Sequence, residues 1–453
     1  MSIERVHTYI NAQRDYFLEA WKRLVAQPSI SAQNKGVRQC AQLLEDIMRA
    51  AGIKTRRFET AGQPIVYGEV RSDRPEALTL LFYGHYDVQP PEPLEKWLSP
   101  PFEPSVRDGR LYGRGAADNK GQLLPHVFAV QAYLEAVGSL PINVKFVFEG
   151  EEESGSIHLP EFIQENRELL AADLVFTSDG PMHDSGAPVV FFGVRGILSV
   201  ELVLETAGQD NHSGNKGGVI PNAAWEMVEL LATMRDESGR VTIEGFYDDV
   251  LPPSTYDLEL IAKLPYDPDQ LAQVFGVAQL PWSKEEFYRR LTLEPTLTIN
   301  GLVSGYTGPG SKTIIPGRAA AKLDMRLVAN QDPEDILAKL RAHVARHNPN
   351  VRVIHHGHMF PSRTRADLPV CQTVVRAIRA AYGREPLVMP ALGGSLPDYV
   401  WTRLLGLPSV GVPYANADEA NHAPNENMRL DCFFQGIHAS AQVIHELGQT
   451  EGA

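Results

Sequence analysis

Residues 78–88, LTLLFYGHYDV, place two groups that can bind metal or carry protons at the end of an apolar run. The run predicts a buried strand, and side chains two positions apart on a strand share a face, so His85 and Asp87 point the same way. Pro90 and Pro91 end the strand just beyond them. Both side chains are therefore expected at the carboxyl end of the strand, where open α/β sheets bind ligands. A buried histidine–aspartate pair with a structural role is the alternative interpretation of this motif alone.

Other strand-like runs end in the same kinds of residue. INVKFVF leads into EGEEESGS, LVFTSDG contains an aspartate, PSVGVPY precedes EANHAPN, and GRGAADNKG places an aspartate before a helix. Each alone has a simpler interpretation, such as a solvated acidic loop or a helix N-cap. Together they bring imidazoles and carboxylates, without thiolates, to one edge of one sheet, which is typical of hydrolytic zinc, manganese or cobalt sites. The residues concerned are Glu149, Glu151, Glu152, Glu153, Asp179, His422 and Asp118.

The order of the elements predicts a domain interrupted by another. Short strands alternate with amphipathic helices up to about residue 195 and again after residue 364, which favours a largely parallel sheet with helices on both faces. Between them the pattern is βαββαβ, which is typical of a ferredoxin-like unit. We expect a three-layer α/β catalytic domain over 1–196 and 361–453, and a smaller α+β lid or dimerisation domain over 197–360 with an insertion at about 239–294.

Composition excludes several classes of partner. With 42 Lys and Arg against 56 Asp and Glu, the 453-residue chain has a formal charge of -14, which disfavours nucleic acid and anionic membranes. Cys40, Cys371 and Cys432 lie far apart, which fits a reducing compartment better than a disulfide framework. The amino-terminal residues lack a signal-peptide core, and no stretch approaches the roughly 18 apolar residues of a membrane span. A soluble cytoplasmic protein is expected.

The motifs, taken in order, resemble those of a known enzyme family. YGHYDVQP, GRGAADNKG, EGEEESGS, TSDG and the late His422 are similar to the motif series of the co-catalytic dinuclear zinc aminoacylases and dipeptidases, a family that includes carnosinase, cytosolic nonspecific dipeptidase, aminoacylase and glutamate carboxypeptidase. The resemblance covers nearly the whole chain. It is closest to the carnosinase-like dipeptidases, through VRGILSVELVLE, NHSGNKGG, GSKTIIPGRAAAKLDMRLV and GGSLPDYV.

This resemblance implies two divalent metal ions, zinc with manganese or cobalt as alternatives. It implies that His85 and Asp179 hold one ion, that Glu153 and His422 hold the other, and that Asp118 bridges them. Asp87 would orient His85, and Glu152 would be the general base that takes a proton from the attacking water and passes it to the leaving amine. Asn119 departs from the mammalian carnosinase-like members, which have an acidic residue there, and this leaves the metal preference open.

The resemblance also implies a homodimer and a substrate-binding set. His212 would reach across the dimer interface to stabilise the developing oxyanion, although the motif DNHSG by itself predicts an ordinary turn residue. Arg326 would bind the terminal carboxylate of a small peptide, with an ion pair to Asp324 as the structural alternative. Thr313, Gly394 and Ser395 complete the set.

Three functions remain open at this point. The first is a dipeptidase that cleaves dipeptides or short peptides with a free C-terminal carboxylate, supported by Asp179, since deacylases of the family tend to have Glu there. The second is an N-acyl amino-acid amidohydrolase with the same metals and base. The third is a catalytically silent dimer, which predicts the loss of a ligand or of Glu152, yet each expected position is filled.

Overall fold

The computed structural model describes residues 3–450, and a large mixed sheet lies at its centre. Four neighbouring strands in the middle of this sheet run parallel, and antiparallel pairs lie toward both edges. Across residues 3–450 the sheet has eight strands, in the spatial order Lys54–Phe58, Ile65–Val70, Asn143–Glu149, Thr79–His85, Leu174–Thr177, Ser409–Gly411, Val189–Phe191 and Leu387–Met389. The carboxyl ends of the parallel strands therefore meet at one edge.

Helices cover both faces of the large sheet. One face carries Lys120–Val137, which is apolar around most of its circumference because other helices enclose it. On that side Trp21 stacks on Phe433 with ring centroids 4.2 Å apart. The covering helices on this face are Ile3–Ala12, Arg14–Ala26, Val37–Ala50, Pro369–Tyr382 and Leu430–Leu447, and the opposite face carries Leu159–Glu165 and the π-helix Val400–Leu405. The predicted three-layer, largely parallel α/β class is confirmed.

A second, antiparallel sheet occupies the middle of the chain. Its strands lie in the spatial order Thr296–Ser304, Arg318–Leu327, Gly196–Glu205 and Arg352–Met359, and the helices Ala223–Ala232 and Pro333–His347 pack on one face. The strand Arg318–Leu327 alternates buried and more exposed residues along its length, as a strand with one covered face should. The connectivity is the predicted ferredoxin-like βαββαβ. We call residues 197–360 the lid.

The segment predicted as an insertion in the lid reaches the large sheet. It forms three helices within the described residues, Thr255–Lys263, Pro268–Phe275 and Lys284–Thr292. Ile261, Leu264 and Tyr288 pack with Leu387 and Met389 on the edge strand of the large sheet. The insertion therefore covers an edge strand while it connects the two sheets.

Smaller strand pairs link these parts. Where the chain leaves the large sheet and returns to it, Gly193–Val194 pairs with Ser362–Arg363. Asn211–His212 and Ile314–Ile315 form a two-stranded ribbon at the far end of the lid. A three-stranded sheet near the edge where the parallel strands end consists of Ser105–Arg107, Arg110–Tyr112 and Asn427–Arg429. Over residues 3–450, no helix has both the length and the apolar character needed to cross a membrane.

Candidate metal centre

His85 is the last residue of its strand, and its ring faces two carboxylates. Nε2 lies 3.2 Å from Oδ1 of Asp118 and 3.5 Å from Oδ2 of Asp179. The side chain is buried, and Nε2 has no hydrogen-bond partner among the described residues. Because a buried polar atom without a partner costs free energy, this convergence fits a bound cation.

The second half of the cluster shares Asp118 with the first. Oδ2 of Asp118 lies 3.1 Å from Nε2 of His422, and Oε2 of Glu153 lies 3.3 Å from the same nitrogen. Asp118 thus turns one oxygen to each histidine. The donor atoms of His85, Asp118 and Asp179 lie within 4.8 Å of one another, and so do those of Asp118, Glu153 and His422. Two groups of nitrogen and oxygen donors that share a carboxylate fit a pair of divalent ions.

Buried Glu426 holds the loop that carries Asp118. Its carboxylate accepts backbone N–H groups from Gly115, Ala117 and Asp118, each at 3.0 Å, and the guanidinium of Arg114 at 2.8 Å. No local pattern marks Glu426, because its partners lie about 300 positions earlier in the chain. The position of Asp118 therefore depends on a residue that no local sequence pattern marks.

Asn119 connects the loop that carries Asp118 with the segment that carries Asp179. Its side-chain amide donates to the carbonyl of Ser178 at 2.7 Å, one residue before Asp179. Asn119 is buried, and it is the N-cap residue of the helix Lys120–Val137 without a side-chain capping bond. The interpretation of Asp118 itself as an N-cap is therefore wrong, because the helix begins one residue later.

Asp87 has more partners than the sequence indicated. Its carboxylate accepts the backbone N–H of Glu152 at 3.2 Å and that of Glu153 at 3.1 Å, and its Oδ1 lies 3.4 Å from Nδ1 of His85. The prediction that Asp87 lies on the strand with His85 is wrong, since the strand Thr79–His85 ends before it. Buried in the irregular segment that follows, Asp87 contacts both the imidazole and the turn that carries the two glutamates.

Two of the four glutamates in EGEEESGS have other partners. The carboxylate of Glu149 accepts the hydroxyl of Tyr83 at 2.6 Å and that of Ser156 at 2.9 Å, and burial raises its pKa to about 8. Glu151 lies 2.8 Å from Nδ1 of His158. The acids of this segment that lie at the candidate donor cluster are therefore Glu153, which belongs to it, and Glu152, which lies beside it.

Glu152 lies next to the cluster without belonging to either donor group. Its Oε2 is 4.0 Å from Nε2 of His85. Burial raises the pKa of Glu152 well above its usual value, and although nearby His85 opposes this rise, the charges of Asp179, Glu153 and Asp118 add to it. A half-buried carboxyl group beside the donor cluster is a candidate for proton transfer.

The two histidines and the bridging carboxylate stabilise opposite charges. Hydrogen bonds to Asp118 and Glu153 raise the pKa of His422 to about 10. Burial alone would raise the pKa of Asp118, but the adjacent imidazoles of His422 and His85 lower it below the usual value. The cluster of carboxylates thus favours positive charge at its centre.

The predicted carboxylate-binding residues lie at the junction of the lid and the large sheet. Arg326 donates to the hydroxyl of Ser395 at 2.8 Å, and its Nε lies 3.6 Å from Oδ2 of Asp324, so the alternative of an ion pair with Asp324 corresponds to a contact in the structure. Nearby, Arg195 donates through its backbone N–H to Gly394 at 3.1 Å. Arg326, Gly394 and Ser395 therefore belong to one neighbourhood.

His212 and Thr313 lie at the ribbon of the lid, away from the junction that carries Arg326. His212 is exposed on the ribbon, where the carbonyl of Thr313 accepts the N–H of Ser213 at 3.0 Å. The strand Arg318–Leu327 carries Arg326 at one end, and the ribbon adjoins its other end, about 25 Å away at ~3.3 Å per residue. Within one chain, the structure therefore places His212 and Thr313 far from Arg326, and neither belongs to the two donor groups.

The sheet edge, the shared carboxylate and the adjacent half-buried Glu152 define a metal-dependent hydrolase. Residues 81–446 match the model of peptidase family M20/M25/M40, and the chain belongs to this family. The predicted resemblance and the prediction of an enzyme of the metallopeptidase class are confirmed.

Relatives of the chain are peptidases by name. It is 28% identical over 473 residues to the Beta-Ala-His dipeptidase of Homo sapiens, covering 99% of this chain and 93% of that protein. It is 31% identical over 357 residues to the cysteinylglycine-S-conjugate dipeptidase of Corynebacterium striatum, covering 76% and 75%. Among solved structures, the M20 family metallo-carboxypeptidase Sso-CP2 of Sulfolobus solfataricus matches with a TM-score of 0.88 and 36% identity, covering 95% of this chain and 99% of that one.

Proposed function

We propose that this protein is a metal-dependent dipeptidase that hydrolyses dipeptides or short peptides with a free C-terminal carboxylate. The observation that carries the proposal is Asp118, which faces His85 with one oxygen and His422 with the other, beside half-buried Glu152. The names of the dipeptidase relatives support the choice of substrate.

Two divalent ions are the cofactors of this proposal, zinc first, with manganese and cobalt as alternatives. His85 and Asp179 would hold one ion, Glu153 and His422 the other, and Asp118 both. When bound, the ions would supply Lewis-acid activation of water and of the scissile carbonyl.

Glu152 performs the proton transfers in this proposal. Its carboxylate accepts a proton from the attacking water and delivers it to the nitrogen of the leaving amine as the peptide bond breaks. The position of Glu152 supports both steps, because its Oε2 lies 4.0 Å from Nε2 of His85, beside the donor cluster. Asp87 fixes the turn at Glu152 through the backbone N–H and positions His85, so it is a positioning residue.

Substrate orientation depends on the junction residues. The guanidinium of Arg326 suits bidentate binding of the terminal carboxylate, with the Ser395 hydroxyl and the backbone at Gly394 beside it. The hydrogen bond between Arg326 and Ser395 supports this role, because it already holds the donors together before substrate binds.

A homodimer completes the proposal, with residues 197–360 as the dimerisation domain. His212 and Thr313 would act on the substrate bound by the partner subunit, because they lie too far from the junction in their own chain. Several large apolar side chains of the lid are exposed, and such surfaces often form interfaces. These are Trp225 (66% exposed) and Val228 on a helix, and Ile299, Leu302 and Val303 on the edge strand Thr296–Ser304.

A substrate comparison tests the proposed function. Purified protein supplied with Zn²⁺, Mn²⁺ or Co²⁺ is incubated with a panel of dipeptides and with the N-acetylated forms of the same amino acids. We expect faster turnover of the dipeptides, with the Glu152→Gln variant as the background control. Faster hydrolysis of the N-acetyl amino acids would instead support the amidohydrolase alternative, and equal rates for the variant and wild type would support a catalytically silent protein.

A further inference from the structure

Glu419 is a buried carboxylate that the proposed mechanism does not use. Its side chain is 2% exposed, and neither Oε1 nor Oε2 has a hydrogen-bond partner among the described residues. The backbone of the same residue is fully bonded: its N–H donates to Asn416 at 3.1 Å, and its carbonyl accepts from Asn427 at 2.8 Å. The chain therefore fixes Glu419 in the interior and leaves its charge without a partner.

The charged groups around Glu419 belong mainly to the metal centre. Burial first, and then the charges of Asp118, Glu426 and Asp179, raise the pKa of Glu419 well above its usual value, while His422 opposes the rise. Glu426 is already paired with Arg114 at 2.8 Å. The neighbours that remain come from both donor groups, and two of them are carboxylates that repel Glu419 rather than neutralise it.

The backbone near Glu419 is held in a costly conformation. Ala420, His422 and Asn425 have φ values of 55°, 56° and 66°, in the left-handed region that non-glycine residues rarely occupy. Such residues cluster at functional sites, where the surrounding structure imposes them. The same short loop presents His422 to Asp118 and Glu153, so the buried charge and the metal ligand are fixed together.

A buried carboxylate needs a positive charge nearby, and the two divalent ions are the cations that this cluster is built to hold. We propose that Glu419 is a counter-charge for the metal pair: it does not coordinate either ion, and its negative charge raises the affinity of both half-sites. The inference rests on the proposed metal centre and adds a positioning residue that no ligand motif marks.

The proposal predicts opposite effects in the metal-free and metal-loaded protein. Glu419→Gln keeps the shape of the side chain and removes the charge. We expect zinc affinity to fall about 10- to 100-fold, as for other residues that support metal ligands from outside. The melting temperature of the metal-free variant should rise above that of the metal-free wild type, because a buried, uncompensated charge has been removed.

Asp418→Asn is the matched control. It removes the same charge one residue earlier, but Asp418 is exposed and paired with Arg110 at 2.8 Å. Its zinc affinity should equal that of wild type. Glu419→Asp keeps the charge, so its zinc affinity should stay within a few fold of wild type. This variant still tests the role of the charge if Glu419→Gln folds poorly.

Zinc affinity is measured by competition with a chromophoric chelator, and melting temperatures are recorded for protein with and without Zn²⁺. Wild-type affinity in Glu419→Gln would overturn the inference, and so would a variant whose only defect is a raised KM for dipeptides, since Glu419 would then pair with the ammonium group of the substrate. Wild-type protein that takes up fewer than two ions would contradict the proposed metal centre itself, which is a separate outcome.

Discussion

Two regions differ in how completely one chain builds them. The first is the edge of the large sheet that carries the candidate metal centre, which we call the metal-site edge, and the second is the ribbon of Asn211–His212 and Ile314–Ile315. At the edge, second residues fix the ligands: Asp87 contacts His85 and the turn at Glu153, and Glu426 holds the loop of Asp118. On the ribbon, Nδ1 of exposed His212 accepts the backbone N–H of Gly214, two residues away, at 3.0 Å. One chain therefore preorganises the donor cluster, whereas His212 on the ribbon is exposed and free to meet a partner, as the proposed dimer requires.

This difference has an energetic meaning. A ligand set that its own chain already orients loses little entropy when it binds its ions, whereas an exposed side chain with only a local contact must be ordered by a partner. A substitution at the metal-site edge should therefore inactivate the site of the chain that carries it. A substitution on the ribbon should inactivate the partner's site, and a partner ribbon from an unsubstituted chain should restore that activity.

The largest effect is expected at Glu152. Glu152→Gln preserves size and removes the proton acceptor, so kcat should fall about 10²- to 10⁴-fold. The matched control is Glu151→Gln in the same turn, where the side chain contacts His158 instead of the cluster and activity should change little. Steady-state kinetics on one dipeptide measures both, and near wild-type activity in Glu152→Gln would contradict the assigned base.

His212 should give the next largest effect. If it donates to the developing oxyanion in the partner's site, His212→Ala lowers kcat about 10²-fold, as the loss of one such donor does. The control is His183→Ala, which changes a half-buried histidine whose side-chain hydrogen bonds are local, to Ser185 two residues away. An unchanged kcat in His212→Ala would leave the ribbon without a catalytic role.

Arg326 tests the junction between the two regions. Arg326→Lys keeps the charge and loses the paired N–H groups, so KM for dipeptides should rise about 10-fold, the scale of one charge-assisted hydrogen bond. Arg318→Lys on the same strand, which is exposed near Glu205, should leave KM unchanged. A change in kcat with constant KM would indicate that Arg326 does not bind the substrate in its ground state.

A smaller effect is expected in the core beneath the metal-site edge. Burial lowers the pKa of His126 to about 3, from 6.5 for the free side chain. The unfolded state therefore takes up the proton first as the pH falls, so the contribution of neutral His126 to stability is complete above pH 6.5 and is lost between pH 6.5 and about 3.

His126→Leu should remove this part of the pH dependence, which amounts to at most about 1.4 kcal/mol per pH unit. Ser440, the partner of His126 at 2.9 Å, keeps its contact with the hydroxyl of Tyr414. Denaturant unfolding of both proteins across this pH range measures the effect. An equally steep loss of stability in the variant would show that His126 does not titrate on unfolding.

Local patterns were sufficient for much of the fold and of the site. Apolar runs that end in histidine or acid predicted which residues meet at the sheet edge, because parallel strands place their carboxyl ends together. The alternation of apolar residues likewise predicted the lid strands, such as Arg318–Leu327. These features depend on spacing within about ten residues, which a single sequence displays directly.

Other features depend on contacts between distant parts of the chain. The bonds of Asp87 to Glu152 and of Glu426 to Ala117 join residues 65 and 309 positions apart, and no periodicity marks them. The packing of the insertion on Leu387 was missed for the same reason. The starts of two of its helices do carry a local sequence signal, because Ser254 and Ser283 each begin a capping box.

The most direct test mixes two inactive variants. Glu152→Gln and His212→Ala proteins are combined under conditions that exchange subunits, and dipeptidase activity is measured against each variant alone. In a mixed dimer, one site has an intact Glu152 from one chain and an intact His212 from the other, so activity should rise well above the sum of the two variants. A mixture no more active than that sum would contradict the claim that the metal-site edge of one chain works with the ribbon of its partner.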